Sequence, residues 1–244
     1  MTINEKKVLA IIPARGGSKG LPRKNILNMC GKPLIGWSIE QAKNSTYVDR
    51  VIVSTDDKEI AEIAKKYGAE VPFLRPKEYA TDTVSPTDAI LHVIYELEKT
   101  GYLPDIVIQM QPTCCIREPE DIDDALRVLI SNKTAKSIVS LIKIENTSHP
   151  DFVVKLDNNG FIGGKLGDSF RRQNLSDRYA YNGTILASYT SSLKKFKSFN
   201  NEFTLGYVIT QKYKTLDIND NWDFIQTEAV LNYLLEKNLL KLVK

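Results

Sequence analysis

Residues 8–13 (VLAIIP) form a continuous apolar run. A run without alternation predicts a strand buried on both faces. Residues 33–44 open with a proline and space Leu34, Trp37, Ile39 and Ala42 at helical intervals. Residues 49–54 read as a second strand. Residues 57–67 read as an amphipathic helix stopped by Gly68. A short strand is expected over 70–73. Ser85 and Pro86 begin a helix over 85–99, whose apolar face is Ile90, Leu91, Ile94 and Leu97. Further strands follow at 105–110 and 137–143. Between them lies a helix over 118–131 with acids in its first turn.

Strand and helix therefore alternate as far as residue 143. That pattern predicts an α/β, Rossmann-like fold, a mostly parallel sheet with helices on both faces. The texture then changes. Residues 151–165 read as a β-hairpin turning at Asp157-Asn158-Asn159-Gly160. Strands are expected at 181–188 and 205–210, and a closing helix at 222–237, capped by Asn221. Trp37 and Trp222 are both expected to pack in the core. We expect one domain over 1–244 with a small β-rich insertion around 145–190. Such an arm suits a subunit interface, so a homodimer is expected.

The chain has 244 residues, 42% of them apolar and 26% charged. These values exclude disorder, and the length suffices for a real core. No stretch approaches the apolar length of a membrane span. The start, MTINEKKVLAIIPARGG, has too short an apolar run for a secretory signal. Three cysteines, two of them adjacent at Cys114 and Cys115, make neither a disulfide framework nor a zinc pattern. A reducing, cytoplasmic compartment is expected. With only His92 and His149, a histidine-built metal site or relay is not expected.

Charge changes the picture more. No acid lies between Glu5 and Glu40, while Lys6, Lys7, Arg15, Lys19, Arg23, Lys24 and Lys32 do. The net charge is only +3, so the rest of the chain is negative. A local basic zone on a nearly neutral protein suits a small anion better than a long nucleic acid. Its centre is Pro13-Ala14-Arg15-Gly16-Gly17-Ser18-Lys19-Gly20-Leu21-Pro22-Arg23-Lys24-Asn25, directly after the first strand. Glycines allow a tight turn with inward N–H groups, and the cations add charge around it. This is a grip for a triphosphate at the carboxyl end of a strand. Neither the P-loop spelling nor the dinucleotide G-x-G-x-x-G is present.

The loop from Ala14 to Asn25 resembles the signature of the acylneuraminate cytidylyltransferases, the CMP-sialic acid synthetase family. Other pieces of that pattern follow in order. They are Ser54-Thr55-Asp56-Asp57, Leu74-Arg75-Pro76 with Ala80-Thr81-Asp82-Thr83, and Gln111-Pro112-Thr113 with Arg117. Arg171-Arg172-Gln173, Tyr181-Asn182-Gly183, Asp217-Ile218-Asn219 and Asp223-Phe224 complete it. The resemblance spans essentially the whole chain. It implies transfer of CMP from CTP to a nine-carbon 2-keto sugar acid, with pyrophosphate leaving. Such a transfer needs positioning and charge neutralisation rather than a nucleophilic side chain.

The resemblance also implies roles. Arg15, Ser18, Lys19 and Lys24 would hold the triphosphate, with the N–H groups of Ala14, Gly16 and Gly17. Asn25 and Arg75 match positions that hold the cytidine, and Ser85 is a further candidate. Pro86 stands where the family favours a second serine. Gln111, Arg172 and Asn182 match sugar-side positions. Asp217 and Asn219 match a pair of aspartates that binds magnesium in much of the family. Two residues apart on an extended segment face the same side, so both reach one ion. Arg15, Lys19, Lys24 and Asp217 are the residues expected to act on the reaction. Cys114-Cys115 replaces a common serine-proline, and Ala180 replaces an arginine found in parts of the family. Both departures lie on the expected sugar side and suit a legionaminate-like sugar. The loop and the α/β pattern alone also suit a nucleotidyltransferase for another acid sugar such as Kdo, or a silent nucleotide-binding protein.

Overall fold

The computed structural model describes residues 5–144, 148–163 and 176–240. In chain order its elements are β1 (Val8–Pro13), β2 (Asn28–Met29), β3 (Lys32–Pro33), α1 (Leu34–Asn44), β4 (Arg50–Ser54) and α2 (Lys58–Lys66). Next come α3 (Pro86–Lys99), β5 (Ile106–Gln109), α4 (Pro119–Ser131), β6 (Ser137–Lys143), β7 (Lys155–Leu156) and β8 (Ile162–Gly163). The chain closes with β9 (Tyr179–Tyr189), α5 (Thr190–Phe196), β10 (Thr204–Val208) and α6 (Asn221–Glu236).

Six strands form the central sheet in the order β10-β6-β9-β5-β1-β4. β1 runs parallel to β4 and β5, β6 runs parallel to β10, and β9 alone is antiparallel, between β5 and β6. The expected α/β, mostly parallel architecture is therefore present. β1 is buried on both faces because its side chains alternate between two cores. Val8, Ala10 and Ile12 meet α1, α2 and α4 through residues such as Ile39, Ile60 and Leu126. Leu9 and Ile11 meet α3 and α5 through Ile90, Ile94 and Leu193. A third cluster packs α6 on α1 through Leu34, Trp37, Leu231 and Leu234. The Trp37 Nε1–H donates to Met29 O at 2.9 Å.

Local signals set the helix boundaries. Asp57 caps α2 and Ser85 caps α3, each side chain accepting a first-turn N–H. Gly68, at φ +86°, ends the α2 region in a backbone conformation that favours glycine. Three expectations need correction. At 70–73 only Glu70 joins the sheet, by a single bridge to Ile52, and Pro72 has no N–H to extend a ladder. α6 is capped by Asp220, not Asn221. The Asp220 carboxylate accepts from Trp222 N (2.8 Å) and Asp223 N (3.0 Å), and Asp223 answers on the Asp220 N–H. Trp222 is 65% exposed, since a residue just inside the cap points away from the face that carries Leu231 and Leu234. The short α5 was not expected.

The hairpin β7–β8 forms about the expected turn. Asp157 Oδ1 accepts from Asn159 N and Phe161 N, and Gly160 takes φ +84°. This hairpin is a separate two-stranded sheet, and the chain re-enters the main sheet at β9.

Lys214 closes the fold beneath the carboxyl edge of the sheet. Its side chain is 3% exposed and its ammonium donates to Glu118 and to both Asp121 oxygens. Burial pushes the Lys214 pKa down, but the bonds to Glu118 and Asp121 outweigh it and hold the value above the ordinary one. A raised lysine stabilises the fold fully below its unfolded pKa and stops doing so as pH rises through the folded one. We expect Lys214→Ala to lower stability by about 3 kcal/mol in urea unfolding at pH 7, because two carboxylates lose their cation. The gap should narrow only above about pH 10.4. A loss under about 1 kcal/mol at pH 7 would contradict this reading of a buried ion cluster.

Candidate active site

Four segments meet at the carboxyl ends of the parallel strands. The loop 14–25 leaves β1, Ser54 to Asp57 end β4, and Met110 to Thr113 follow β5. Asn182 and Gly183 lie in the first half of antiparallel β9, which brings them to the same edge. β4 and β5 flank β1 on opposite sides, so the chain reverses direction across the sheet there. An open α/β sheet leaves a ligand crevice at such a point.

The crevice has two adjoining cavities. One, of about 460 Å3, is lined by Arg15, Ser18, Lys19, Lys24, Asn25, Arg75, Ser85, Gln111, Asp217 and Asn219, among others. The other, of about 590 Å3, is lined by Ser140, Tyr181, Asn182 and Thr215, among others. Gln109, Gln111, Pro86 and Asp217 border both. Ten of the residues singled out from sequence thus face the first cavity, and Asn182 faces the second. Arg172 lies outside the described residues. Ala14 is fully buried, and Gly16 and Gly17 do not line either cavity. The Gly16 N–H donates to Asp56 Oδ1 at 2.9 Å, so it is occupied within the protein rather than turned inward.

The loop is held from two sides. Arg23 pairs with Asp57 and Glu59, which fixes its outer arm. Its inner arm rests on the segment before α6. Lys24 Nζ donates to Ile218 O at 2.6 Å. A Cβ on Gly20 would lie 2.4 Å from Asn219 O, so only glycine allows this approach. Burial lowers the Lys24 pKa, opposed by the nearby Asp217 and Asp223. Asn25 is buried and its amide donates to Arg15 O at 3.0 Å.

Arg75 is 6% exposed and is no surface ion pair. Its guanidinium donates to Ser54 Oγ at 3.0 Å and to Ser54 O, and burial lowers its pKa to about 10. Ser85 borders the cavity, but its hydroxyl is engaged in the α3 cap, accepting from Asp88 N and donating to Asp88 Oδ2. Arg15 and Lys19 both pair with Asp82, at 2.8 and 2.6 Å. Asp82 lies on the loop before α3, which forms the facing wall with Tyr79, Thr81 and Val84. Sequence gave Asp82 no role, because an acid in a Thr-rich loop carries no mark of a long-range partner.

Asp217 and Asn219 do share a side. Ile218 between them is fully buried in the α6 cluster and its N–H donates to Thr113 O at 3.2 Å. The Asn219 amide donates to Asp217 Oδ2 at 3.2 Å. Cys114 is 1% exposed; its thiol lies 3.7 Å from Asp217 Oδ1 and 3.6 Å from Asn182 O. Burial pushes its pKa well up, so it is an inert thiol at the cleft floor. Gln111 packs beside Gly183 (φ +71°), where a Cβ would meet the Gln111 Nε2 at 3.2 Å. Asn182 Oδ1 accepts from Ser140 Oγ at 2.5 Å, while its Nδ2 is buried without a partner.

Comparison with known proteins decides the family. The cytidylyltransferase profile matches residues 9–239. The chain belongs to the cytidylyltransferase family. It is therefore a nucleotidyltransferase. It is 34% identical to the CMP-N,N'-diacetyllegionaminic acid synthase of Legionella pneumophila, over 92% of this chain and 96% of that one. It is 36% identical to a pseudaminic acid cytidylyltransferase of Campylobacter jejuni, over 71% and 74%. With the N-acylneuraminate cytidylyltransferase of Escherichia coli it shares 32%, over 97% of this chain and 54% of that protein. A solved structure of CMP:2-keto-3-deoxy-manno-octonic acid synthetase complexed with CTP superposes with a TM-score of 0.71, at 19% identity, over 93% and 99% of the chains. That likeness shows the fold.

The fit of Gly20 against Asn219 gives a direct test. We expect Gly20→Ala in this cytidylyltransferase to cut kcat/KM for CTP about a hundredfold, since a shift near 1 Å misaligns the loop. Its melting temperature should stay within a few degrees, because the loop lies outside the core. Wild-type kcat/KM in the variant would show that the close approach is not needed.

Proposed function

We propose that this enzyme transfers CMP from CTP to a nine-carbon 2-keto sugar acid, releasing pyrophosphate. The observation that carries the proposal is the paired cavity. A basic half suits a triphosphate, and a half bordered by Gln111 and Asn182 suits a polar sugar. The two meet at Asp217. The relatives named for legionaminic, pseudaminic and N-acylneuraminic acid support a nonulosonate as acceptor. We take N,N'-diacetyllegionaminate as the first candidate, since the Legionella protein matches nearly end to end.

In this reading the anomeric hydroxyl attacks the α-phosphorus and the bond to pyrophosphate breaks. Arg15, Lys19 and Lys24 neutralise charge that builds on the leaving phosphates. Arg15 and Lys19 exchange Asp82 for phosphate oxygens as CTP enters. Asn25 and Arg75 hold the nucleoside from a buried base. Gln111 and Asn182 orient the sugar, with the unpartnered Asn182 Nδ2 as a donor in waiting.

Magnesium is proposed at Asp217, with Asn219 beside it. The Asp217 carboxylate accepts from the Cys114 thiol and the Asn219 amide, and the Lys24 ammonium lies close enough to act on it electrostatically. One carboxylate and one amide suit a magnesium ion that takes its remaining oxygens from phosphate and water. Among the described residues no three His, Cys, Asp or Glu gather into an all-protein cage. When bound, the ion would withdraw charge from the phosphates. A reducing, cytoplasmic setting is proposed because Cys30, Cys114 and Cys115 are all free thiols. No helix of the described residues is long and apolar enough to cross a membrane.

A homodimer built on the hairpin arm is also proposed. Leu156, Phe161 and Ile162 of the hairpin are 65%, 72% and 53% exposed, and Val153 just before it is 66% exposed. Apolar exposure so concentrated marks an interaction surface. Sedimentation should give twice the chain mass, and Phe161→Asp should give monomers; a monomeric wild type would remove the proposal.

The function itself is tested by pyrophosphate release with CTP and magnesium over N-acetylneuraminate, diacetyllegionaminate, pseudaminate and Kdo. Turnover with one nonulosonate is expected. Asp217→Ala should abolish it, and Asn219→Asp should preserve or raise it. Turnover with Kdo alone, or none with CTP bound, would defeat the reading. A fully active Asp217→Ala enzyme would defeat the metal assignment.

A further inference from the structure

Arg117 is fully buried, and among the described residues it pairs with no carboxylate. Its guanidinium donates to neutral acceptors on two separate elements. Nε reaches Gln41 Oε1 at 3.2 Å, Nη2 reaches Ser38 Oγ at 2.9 Å, and both acceptors sit on α1. Nη1 reaches Thr184 O on β9. The nearby acid Asp121 is already bound to Lys214. Burial pushes the Arg117 pKa down. A buried charge without a counter-charge costs stability, so its retention calls for a physical reason.

That reason lies one bond further out. The Ser38 hydroxyl donates onward to Gln111 O at 3.3 Å. Gln41 Nε2 donates to Cys115 O at 2.6 Å, next to the Cys114 thiol that contacts Asp217 and Asn182. The Thr184 N–H donates to Asn182 Oδ1 at 3.2 Å. The Thr184 hydroxyl donates to Lys214 O at 3.0 Å, three residues before Asp217. Two arms of the guanidinium thus lead to Gln111 and Asn182, which line the second cavity, and the third leads to Cys115 O, one residue from Cys114. By contrast, none of these bonds reaches Arg15, Lys19, Lys24 or Arg75, which hang from the loops after β1 and β4.

We propose that Arg117 is a positioning residue for the acceptor half of the cleft, holding Gln111 and Asn182 in register. The proposal rests on the reading of that half as the sugar-acid site. Only a planar fork spans acceptors in these directions; an ammonium has the charge without the geometry. The residue is predicted to govern acceptor binding and turnover while leaving nucleotide binding alone.

The test is steady-state kinetics of full-length Arg117→Lys, with both KM values measured well below its melting temperature. We expect the sugar-acid KM to rise about tenfold and kcat to fall, because small displacements of positioning groups are costly. The KM for CTP should stay within twofold. A purely structural role would lower the melting temperature without splitting the two KM values. A sugar-acid KM unchanged in the folded variant, or a parallel rise in both, overturns the proposal. Should Arg117→Lys not fold, Ser38→Ala decides it, since that change removes the arm from Arg117 through Ser38 to Gln111 and leaves the bonds to Gln41 and Thr184. It should raise the sugar-acid KM severalfold with the CTP KM unchanged; no change overturns the proposal. Wild-type enzyme that turns over no sugar acid would overturn the underlying reading, and the proposal with it, before any variant is made.

Discussion

Everything at the cleft depends on one long-range tie, the hydrogen bond from Lys24 Nζ to the carbonyl of Ile218. It joins the end of the first loop to the segment that precedes the last helix. Gly20 lies against Asn219 in the same seam, at a distance no side chain tolerates. Ile218 can accept this bond because its own side chain is anchored in the α6 cluster. The loop is therefore shaped by a surface contributed from the far end of the sequence. The consequence is that Lys24 and the candidate metal ligand Asp217 occupy one wall.

Electrostatics complete that wall. The loop is rich in cations, and acids of the same protein pair with Arg15, Lys19 and Arg23. Asp82 takes Arg15 and Lys19, Asp57 and Glu59 take Arg23, and Asp56 takes the Gly16 N–H. These acids stand on the loop after β4, in the first turn of α2 and on the loop before α3, outside the acid-free stretch of the sequence. Arg75 and Lys24 are more deeply set, and burial lowers the pKa of each. Desolvated cations of this kind interact with phosphate more strongly than exposed ones.

Sequence patterning made β1, the capped helices and the basic loop legible because each rests on local physics. A continuous apolar run, a Ser-Pro cap and a glycine after an amphipathic stretch need no partner to be read. The pairing of Asp217 with Asn219 was legible for the same reason, as strand periodicity with Ile218 turned inward. What escaped depended on distant partners. Asp220 and Asn221 are both good caps, and only the backbone of the preceding segment chooses Asp220. α5 is too short for periodicity to show. The Gly16 N–H looked free because its acceptor lies forty residues away. Arg117 stood in the sequence only as part of the pattern after Gln111-Pro112-Thr113, and its three acceptors are set by folding alone.

The account's central claim is that the loop from Arg15 to Asn25 holds a triphosphate beside Asp217, with the acceptor between Gln111 and Asn182. A crystal structure of the enzyme with CTP and magnesium tests it most directly. We expect the phosphates within hydrogen-bond distance of Arg15, Lys19 and Lys24, Asp82 released from both cations, and the metal on Asp217. CTP lodged with its phosphates beyond the loop, or Arg15 and Lys19 still paired to Asp82 in the complex, would contradict it.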